Sequence, residues 1–214
     1  NTGVSPIDLG RFPHLEGVLD VIYNPARTQL LLDAEKLGIP RESGLWMLVA
    51  QAKEAAEVFT GRKISDEVIE KIYRRLSHQM KNIVLIGMPG CGKTTIGTLL
   101  AEKLGRTLAD ADEKIIALAG KSIPDIFAQD GEPTFRDWET KALTELGKQS
   151  GLVIATGGGC VTQKRNYPLL HQNGYLVWLE RDCSVLPTDG RPLSQANDLG
   201  KMYAVRKPLY EAFA

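Results

Sequence analysis

A chain of 214 residues, 43% of them hydrophobic, is long enough to bury a core in one large domain or two small ones. Its 26 Lys and Arg residues balance its 26 Asp and Glu residues, so no basic excess indicates a nucleic-acid partner. No hydrophobic run approaches the roughly 18 residues of a membrane span, so we expect no membrane partner. The three cysteines (Cys91, Cys160 and Cys183) are widely spaced and form no metal-binding motif, which predicts a reduced, cytoplasmic protein.

Residues 1–80 are predicted to form a small, mainly helical segment with one strand. The apolar stretch 17–23 is typical of a buried strand, and Asn24-Pro25 ends it. Apolar residues at helical spacing predict three helices, over residues 28–37, 45–60 and 65–79. In the second helix, the residues on or near the predicted apolar side are Met47, Ala50, Ala55 and Val58.

Residues 87–94 fit the phosphate-binding pattern G-x-x-x-x-G-K-[ST], between an apolar run and a helical pattern. Glycines let backbone amides line an anion site, and the start of the following helix adds its positive dipole end. Lys93 is predicted to reach the outer phosphates of a nucleotide, and Thr94 to bind Mg²⁺. The predicted nucleotide-binding residues of this stretch are Gly90, Cys91, Gly92, Lys93, Thr94 and Thr95.

After residue 81 strands and helices alternate, which is typical of parallel strands joined by crossover helices. The predicted strands are 82–86, 107–109, 152–155 and 175–179, and the predicted helices are 95–104, 113–118, 123–129 and 131–149. Ligands of such sheets bind beyond the carboxyl ends of the strands. Three of the features follow strand ends: the phosphate loop, Asp110 with Asp112, and the glycines 157–159. We therefore expect them to line one cleft.

Each of these features also has a structural explanation that the residues leave open. Asp110 and Asp112 suit a helix N-cap and a turn, and Arg136 with Glu139 at i,i+3 suits a surface ion pair. A triple glycine is also typical of a flexible turn, and Arg206 suits a solvated helix face.

Five further motifs accompany the phosphate loop. They are Asp110-x-Asp112, Gly131-Glu132-x-x-Phe135-Arg136-x-x-Glu139, Gly157-Gly158-Gly159, Asp189-Gly190-Arg191-Pro192-Leu193 and Tyr203-x-x-Arg206-x-Pro208-Leu209-Tyr210. With this set, residues 82–214 resemble the shikimate kinase family. The resemblance implies an α/β fold of the adenylate-kinase type, with flanking helices and a parallel sheet in the strand order 2-3-1-4-5.

The resemblance also implies ATP-dependent phosphorylation of the 3-hydroxyl of shikimate. On the donor side, Lys93, Mg²⁺ bound by Thr94, and Arg191 would offset the phosphate charge. Asp110 would hold the metal through water, and Arg191 would belong to a mobile lid over ATP.

On the acceptor side, the resemblance implies that Asp112 binds the hydroxyl groups of shikimate and orients or deprotonates the attacking one. Arg136 and Arg206 would pair with its carboxylate, because a guanidinium group binds carboxylates bidentately. The implied substrate-binding residues are Asp112, Arg136, Gly157, Gly158, Gly159 and Arg206, and the implied catalytic residues are Lys93, Asp112 and Arg191.

A second resemblance concerns the N-terminal segment. Its motifs are Asp20-Val21-Ile22-Tyr23-Asn24-Pro25, Thr28 with the leucines after it, and Gly44-Leu45-Trp46-Met47-Leu48-Val49-Ala50-Gln51-Ala52. They are similar to the C-terminal end of shikimate dehydrogenase. This implies shikimate contacts for Tyr23 and Gln51, and places Gly44 and Met47 along the nicotinamide of NADP. Both families act in one pathway, so we expect part of a bifunctional fusion, with a dehydrogenase fragment over residues 1–80 and a kinase domain over 81–214.

The dehydrogenase resemblance is incomplete. No G-x-G-x-x-G follows a strand, so the dinucleotide-binding fingerprint is absent. The family's substrate domain and catalytic Lys–Asp pair have no counterpart here either. We therefore expect no hydride transfer from this segment, and NADP binding only in an intact dehydrogenase half.

The kinase resemblance ends in the helix that precedes the family's fifth strand. We therefore expect the sheet to lack that strand. Residues 175–179 would then form an exposed apolar edge that invites association within the chain or between copies. We also expect such a chain to bind ATP and shikimate weakly and to turn over slowly.

Two other functions stay open. One is a different small-molecule kinase, such as a gluconate kinase relative, whose acceptor also carries a carboxylate. The other is a catalytically weak nucleotide-binding module, against which the intact Lys93, Thr94, Asp110 and Asp112 argue.

Overall fold

The computed structural model describes residues 3–186 and 199–214, which fall into two units, Asn1–Lys81 and Asn82–Ala214. Each unit has buried hydrophobic residues of its own, which pack around Leu31 and Ala34 in the first and around Val84 and Ile154 in the second. None of the helices in these ranges combines the length and the hydrophobicity that a bilayer-spanning segment needs.

Over its described residues, the first unit contains three α-helices, as predicted, and two short strands where one was predicted. Its elements are β1 (Val18–Leu19), α1 (Gln29–Lys36), β2 (Arg41–Glu42), α2 (Leu45–Thr60) and α3 (Asp66–Met80). The strands β1 and β2 are paired in parallel. Thr28 caps α1 by accepting a hydrogen bond from the Leu31 amide, and Gly61 ends α2 in the left-handed conformation.

The buried strand predicted over residues 17–23 is confirmed only at Val18–Leu19, and most of the predicted range is neither strand nor buried. The strand is only two residues long, and Leu19 is 84% exposed. It ends because the Asp20 carboxylate accepts hydrogen bonds from the Ile22 amide (3.0 Å) and the Thr28 hydroxyl (2.5 Å). Such a local side-chain bond turns the backbone away from an extended ladder.

The predicted apolar side of α2 is also wrong, because Val58 is 82% exposed and Met47 is exposed too. The buried residues of the helix are Leu45, Val49 and Glu57. The carboxylate of Glu57 accepts hydrogen bonds from the Ile64 amide (2.7 Å) and Lys63 Nζ (3.1 Å), which hold its pKa below the ordinary value. A carboxylate that accepts such hydrogen bonds can therefore be buried in the helix, which a prediction from hydrophobicity alone does not anticipate.

The second unit is built on a parallel sheet of β3 (Asn82–Ile86), β4 (Leu108–Asp110), β5 (Val153–Ala155) and β6 (Gly174–Trp178). The spatial order β4-β5-β3-β6 confirms the predicted order 2-3-1-4 for these four strands. Among the described residues this sheet has no fifth strand, and β6 is an edge strand on which Tyr175 and Val177 are exposed.

The helices of this unit flank the sheet and carry Lys93, Thr94, Asp112, Arg136 and Arg206 of the predicted site. They are α4 (Lys93–Leu104), α5 (Ala111–Ala119), α6 (Ile123–Gln129), α7 (Gly131–Gly147), α8 (Asn166–His171) and α9 (Leu199–Phe213). The loops after β3 and β5, and the start of α5 directly after β4, lie at the carboxyl edge of the sheet. A candidate site therefore lies at this edge.

Candidate active site

The phosphate loop joins β3 to α4, as the motif predicts. Gly87, Gly90 and Gly92 have positive φ angles of 145°, 79° and 100°, a region that suits glycine. Lys93 begins α4 and is only 7% exposed. Its Nζ donates hydrogen bonds to the carbonyls of Gly87 and Met88, both at 2.9 Å. The loop thus holds a buried ammonium group beside the helix N-terminus, an arrangement suited to an anion.

Thr94 and Asp110 meet at the predicted metal site. Thr94 Oγ1 donates to Asp110 Oδ2 at 2.9 Å, and Asp110 Oδ1 accepts from the Asp112 amide, which caps α5. The N-cap role and the metal role of Asp110 are therefore compatible. One hydroxyl and one carboxylate fit Mg²⁺, which keeps several waters and binds few protein ligands beside the phosphates. In the described ranges, no group of three or more His, Cys, Asp and Glu side chains forms an alternative metal cluster.

The triple glycine is not an ordinary flexible turn, because each of its residues is in close contact with a different part of the site. A Cβ atom on Gly158 would lie 2.5 Å from Cδ of Pro89 in the phosphate loop. A Cβ atom on Gly157 would lie 3.0 Å from Glu139 Oε1 and 3.2 Å from Asp112 Oδ1, and one on Gly159 would overlap the Arg136 guanidinium group. The loop therefore joins the phosphate loop to a group of charged side chains.

Arg136 and Glu139 form a buried ion pair on α7, so the surface ion pair is excluded. Arg136 Nη1 donates to Glu139 Oε2 at 2.9 Å, and Nη2 donates to Glu132 Oε1 at 2.8 Å. The side chain of Arg136 is 6% exposed and that of Glu139 only 1%, whereas Glu132 is half exposed. Among the residues that the structure describes, none forms a hydrogen bond with Glu139 Oε1. Burial raises the pKa of Glu139, although the Arg136 guanidinium opposes the shift.

Helix α9 brings Arg206 and Tyr210 to the same glycine loop. Arg206 Nη1 and the Tyr210 hydroxyl both donate to the Gly158 carbonyl, at 3.2 Å and 2.5 Å. Both residues are buried, so Arg206 does not lie on a solvated helix face. Burial raises the pKa of Tyr210. The predicted residue Arg191 and its motif 189–193 lie outside the described residues.

A sequence model of the shikimate kinase family matches residues 89–214, more than half of the chain and nearly all of the second unit. The chain belongs to the shikimate kinase family. The resemblance predicted from the motifs of residues 82–214 is thereby confirmed at the level of the family.

Curated shikimate kinases are similar to this chain over much of their length. The shikimate kinase of Parasynechococcus marenigrum (strain WH8102) is 45% identical over 140 residues, which cover 61% of this chain and 73% of the relative. The shikimate kinase of Burkholderia lata is 40% identical over 142 residues, covering 62% of this chain and 77% of the relative.

Solved structures of shikimate kinases share the fold. That of Acinetobacter baumannii, in complex with shikimate, has a TM-score of 0.61 and 39% identity, and covers 65% of this chain and 83% of the other. That of Aquifex aeolicus has a TM-score of 0.53 and 31% identity, and covers 61% and 81%. The α/β fold with a parallel sheet and flanking helices is thus confirmed as that of shikimate kinases.

Two contacts of the shikimate kinase site were not assigned a functional role from sequence. Glu139 holds Arg136 inside the site, and the only sequence signal for this is the i,i+3 spacing of the two residues on one helix. Tyr210 binds the Gly158 carbonyl one helical turn after Arg206, a spacing that places both on one face of α9.

The four residues of the dehydrogenase resemblance lie outside the kinase unit. Tyr23 alone among them lines a cavity of about 320 Å³ in the first unit, with Arg27 and Tyr73 among its neighbours. Gly44 is buried, and a Cβ atom there would overlap the Val21 carbonyl. Met47 and Gln51 lie on exposed positions of α2.

Proposed function

We propose that this chain transfers the terminal phosphoryl group of ATP to the 3-hydroxyl of shikimate. The observation that carries the proposal is the glycine loop 157–159, which is in close contact with Pro89 of the phosphate loop and with Arg136. Two anionic substrates held on the two sides of this loop would meet at the carboxyl edge of the sheet. The names of the relatives and the shikimate complex of the Acinetobacter baumannii enzyme support shikimate as the acceptor.

On the donor side, the amides of residues 90–95 and the Lys93 ammonium would bind the phosphates of ATP. Thr94 and Asp110 would hold Mg²⁺, whose charge, when it is bound, offsets the negative charge of the phosphates. Lys93 is kept in place by the two loop carbonyls, so its charge needs little reorganisation during the reaction.

On the acceptor side, Asp112 and Arg136 are the residues that we assign to shikimate. The Asp112 carboxylate lies beside the glycine loop, where it would accept a hydrogen bond from the attacking hydroxyl and orient it. Arg136 would bind the carboxylate, since its Glu132 partner is half exposed and can give way to a ligand. Arg206, bound to Gly158, would add a second positive charge.

A coupled assay of ADP release tests this proposal. We expect ADP release with shikimate to exceed the rate without an acceptor, even if turnover is slow. Gluconate should give no rate above that background. Equal rates with gluconate, or no stimulation by shikimate, would contradict the proposed function.

We further propose that residues 1–80 correspond to the C-terminal end of a shikimate dehydrogenase and do not catalyse hydride transfer by themselves. The motifs around Tyr23 and Gln51 and the missing dinucleotide fingerprint support this. No NADPH should be consumed with 3-dehydroshikimate. Consumption above the rate without substrate would disprove the claim of inactivity.

Replacing Gly158 by alanine should lower kcat/KM for both substrates by about 100-fold, because a Cβ atom there displaces Pro89 and the phosphate loop. Steady-state kinetics measure the effect. Gly17→Ala is the control, because its Cβ atom would be in ordinary contact with the Pro40 carbonyl at 3.5 Å. Unchanged kinetics in Gly158→Ala would mean that the close approach has no part in the site.

Glu139→Gln should change the pH dependence of stability. Because burial raises the folded-state pKa of Glu139 above 4.5, the folded protein retains a proton that the unfolded chain loses as pH rises between the two values. The free energy of unfolding of the wild type, relative to Glu139→Gln, should therefore fall from about pH 4 upward and then level off above the folded-state pKa. Urea denaturation over this range measures it.

Glu145→Gln is the control, for which the pH dependence of stability should have the opposite sign. A hydrogen bond from Lys114 holds the pKa of Glu145 below its ordinary value, so its stabilising contribution is lost as pH falls. The wild type should thus gain stability relative to Glu145→Gln as pH rises. Slopes of the same sign in both comparisons would contradict the assignment for Glu139.

A further inference from the structure

Asn166, the first residue of α8, is fully buried and bonds to two elements of the acceptor side. Its Nδ2 donates to the Cys160 carbonyl at 2.9 Å, and its Oδ1 accepts from Thr140 Oγ1 at 2.9 Å. Cys160 directly follows the glycine loop, and Thr140 follows Glu139 on α7. One amide side chain therefore connects the loop to the helix that carries Arg136.

The Thr140 hydroxyl also lies 3.0 Å from the Arg136 carbonyl, one helical turn back. The connection thus reaches the backbone of Arg136. The guanidinium group of Arg136 occupies the space where a Cβ atom of Gly159 would be. With so little space, a small movement of α7 relative to the loop would displace the guanidinium group.

We propose that Asn166 is a positioning residue, which fixes α7 against the glycine loop and so sets the orientation of Arg136 toward a carboxylate ligand. It acts through Arg136 without touching the ligand. The inference rests on the proposed function, since it assumes that Arg136 binds shikimate.

Asn82 provides a matched control at the other end of the sheet. It is also fully buried, its Nδ2 donates to the Gln149 carbonyl at 2.8 Å, and its Oδ1 accepts from the Leu152 amide at 2.9 Å. These bonds lie at the amino ends of β3 and β5, away from the glycine loop. Loss of Asn82 should affect stability alone.

The test is calorimetric titration of the full chain with shikimate and, separately, with ADP. Asn166→Ala should weaken shikimate binding about tenfold, because the Thr140 hydroxyl and the Cys160 carbonyl lose their buried hydrogen-bond partner. The Kd for ADP should stay unchanged. Thr140→Val removes the hydroxyl at constant shape and should weaken shikimate binding in the same direction. Asn82→Ala should lower the melting temperature without changing either Kd.

An equal loss of affinity for both ligands in the Asn166 and Thr140 variants, or a selective loss in Asn82→Ala, would overturn the inference and leave the proposed function intact. If Asn166→Ala does not fold, Thr140→Val decides between these outcomes. A wild-type chain that binds ADP but not shikimate would overturn the proposed function and this inference together.

Discussion

Replacing Lys93 by methionine should lower kcat for shikimate-dependent ADP release about 1000-fold, because a preorganised positive charge at the transferred phosphate is lost. Lys93 is buried, and the phosphate loop carbonyls of Gly87 and Met88 hold its ammonium group. Methionine keeps a long, unbranched side chain and removes only the charge and the donors. Initial rates at saturating ATP and shikimate measure the effect.

Lys103→Met is the control for this substitution. Lys103 lies in the last turn of the same helix and is exposed, so its loss should leave kcat unchanged. Melting temperatures of both variants exclude unfolding as the cause. If Lys93→Met keeps more than about a tenth of the wild-type kcat, the assignment of Lys93 to the transferred phosphate is wrong.

Arg136→Lys should raise KM for shikimate about 50-fold and leave KM for ATP unchanged. Lysine retains a positive charge for Glu139 but cannot bind a carboxylate bidentately. This substitution avoids leaving Glu139 as an unpaired buried charge, which would destabilise the fold by several kcal/mol and obscure the binding effect. Steady-state kinetics with each substrate varied in turn separate the two KM values.

Arg74→Lys is the matched control. Arg74 is exposed in the first unit and pairs with the exposed Glu70, so neither KM should change. If Arg136→Lys raises both KM values equally, Arg136 serves the architecture of the site rather than the acceptor. That result would leave the donor side of the proposal unaffected.

The four strands of the kinase unit and its helices α4 to α7 could be predicted from sequence because their signals are local, whereas α8 was not predicted. Residues 83–86 of β3 are apolar on both faces, as a central parallel strand must be, and the phosphate loop motif places the turn and the helix that follow. The prediction that the loops converge follows from the rule that parallel strands carry ligands at their carboxyl ends.

The interior of the site could not be predicted in the same way. A sequence pattern cannot distinguish a solvated Arg136–Glu139 pair from a buried one, because burial depends on what packs over the helix. The same holds for Arg206, whose partner is a carbonyl 48 residues away. In the first unit, burial was predicted wrongly for most of residues 17–23 and for one side of α2. In both places a carboxylate, that of Asp20 or that of Glu57, accepts a hydrogen bond from a backbone amide.

The most direct test of a shared pocket is to identify the phosphorylated product. Wild-type chain incubated with ATP, Mg²⁺ and shikimate would be followed by ³¹P nuclear magnetic resonance, which detects product even if turnover is slow. We predict a new phosphate monoester signal that grows in step with ADP and is absent when shikimate is left out. Growth of inorganic phosphate with ADP, without a monoester signal, would mean that the phosphate loop and the acceptor residues do not act on one reaction.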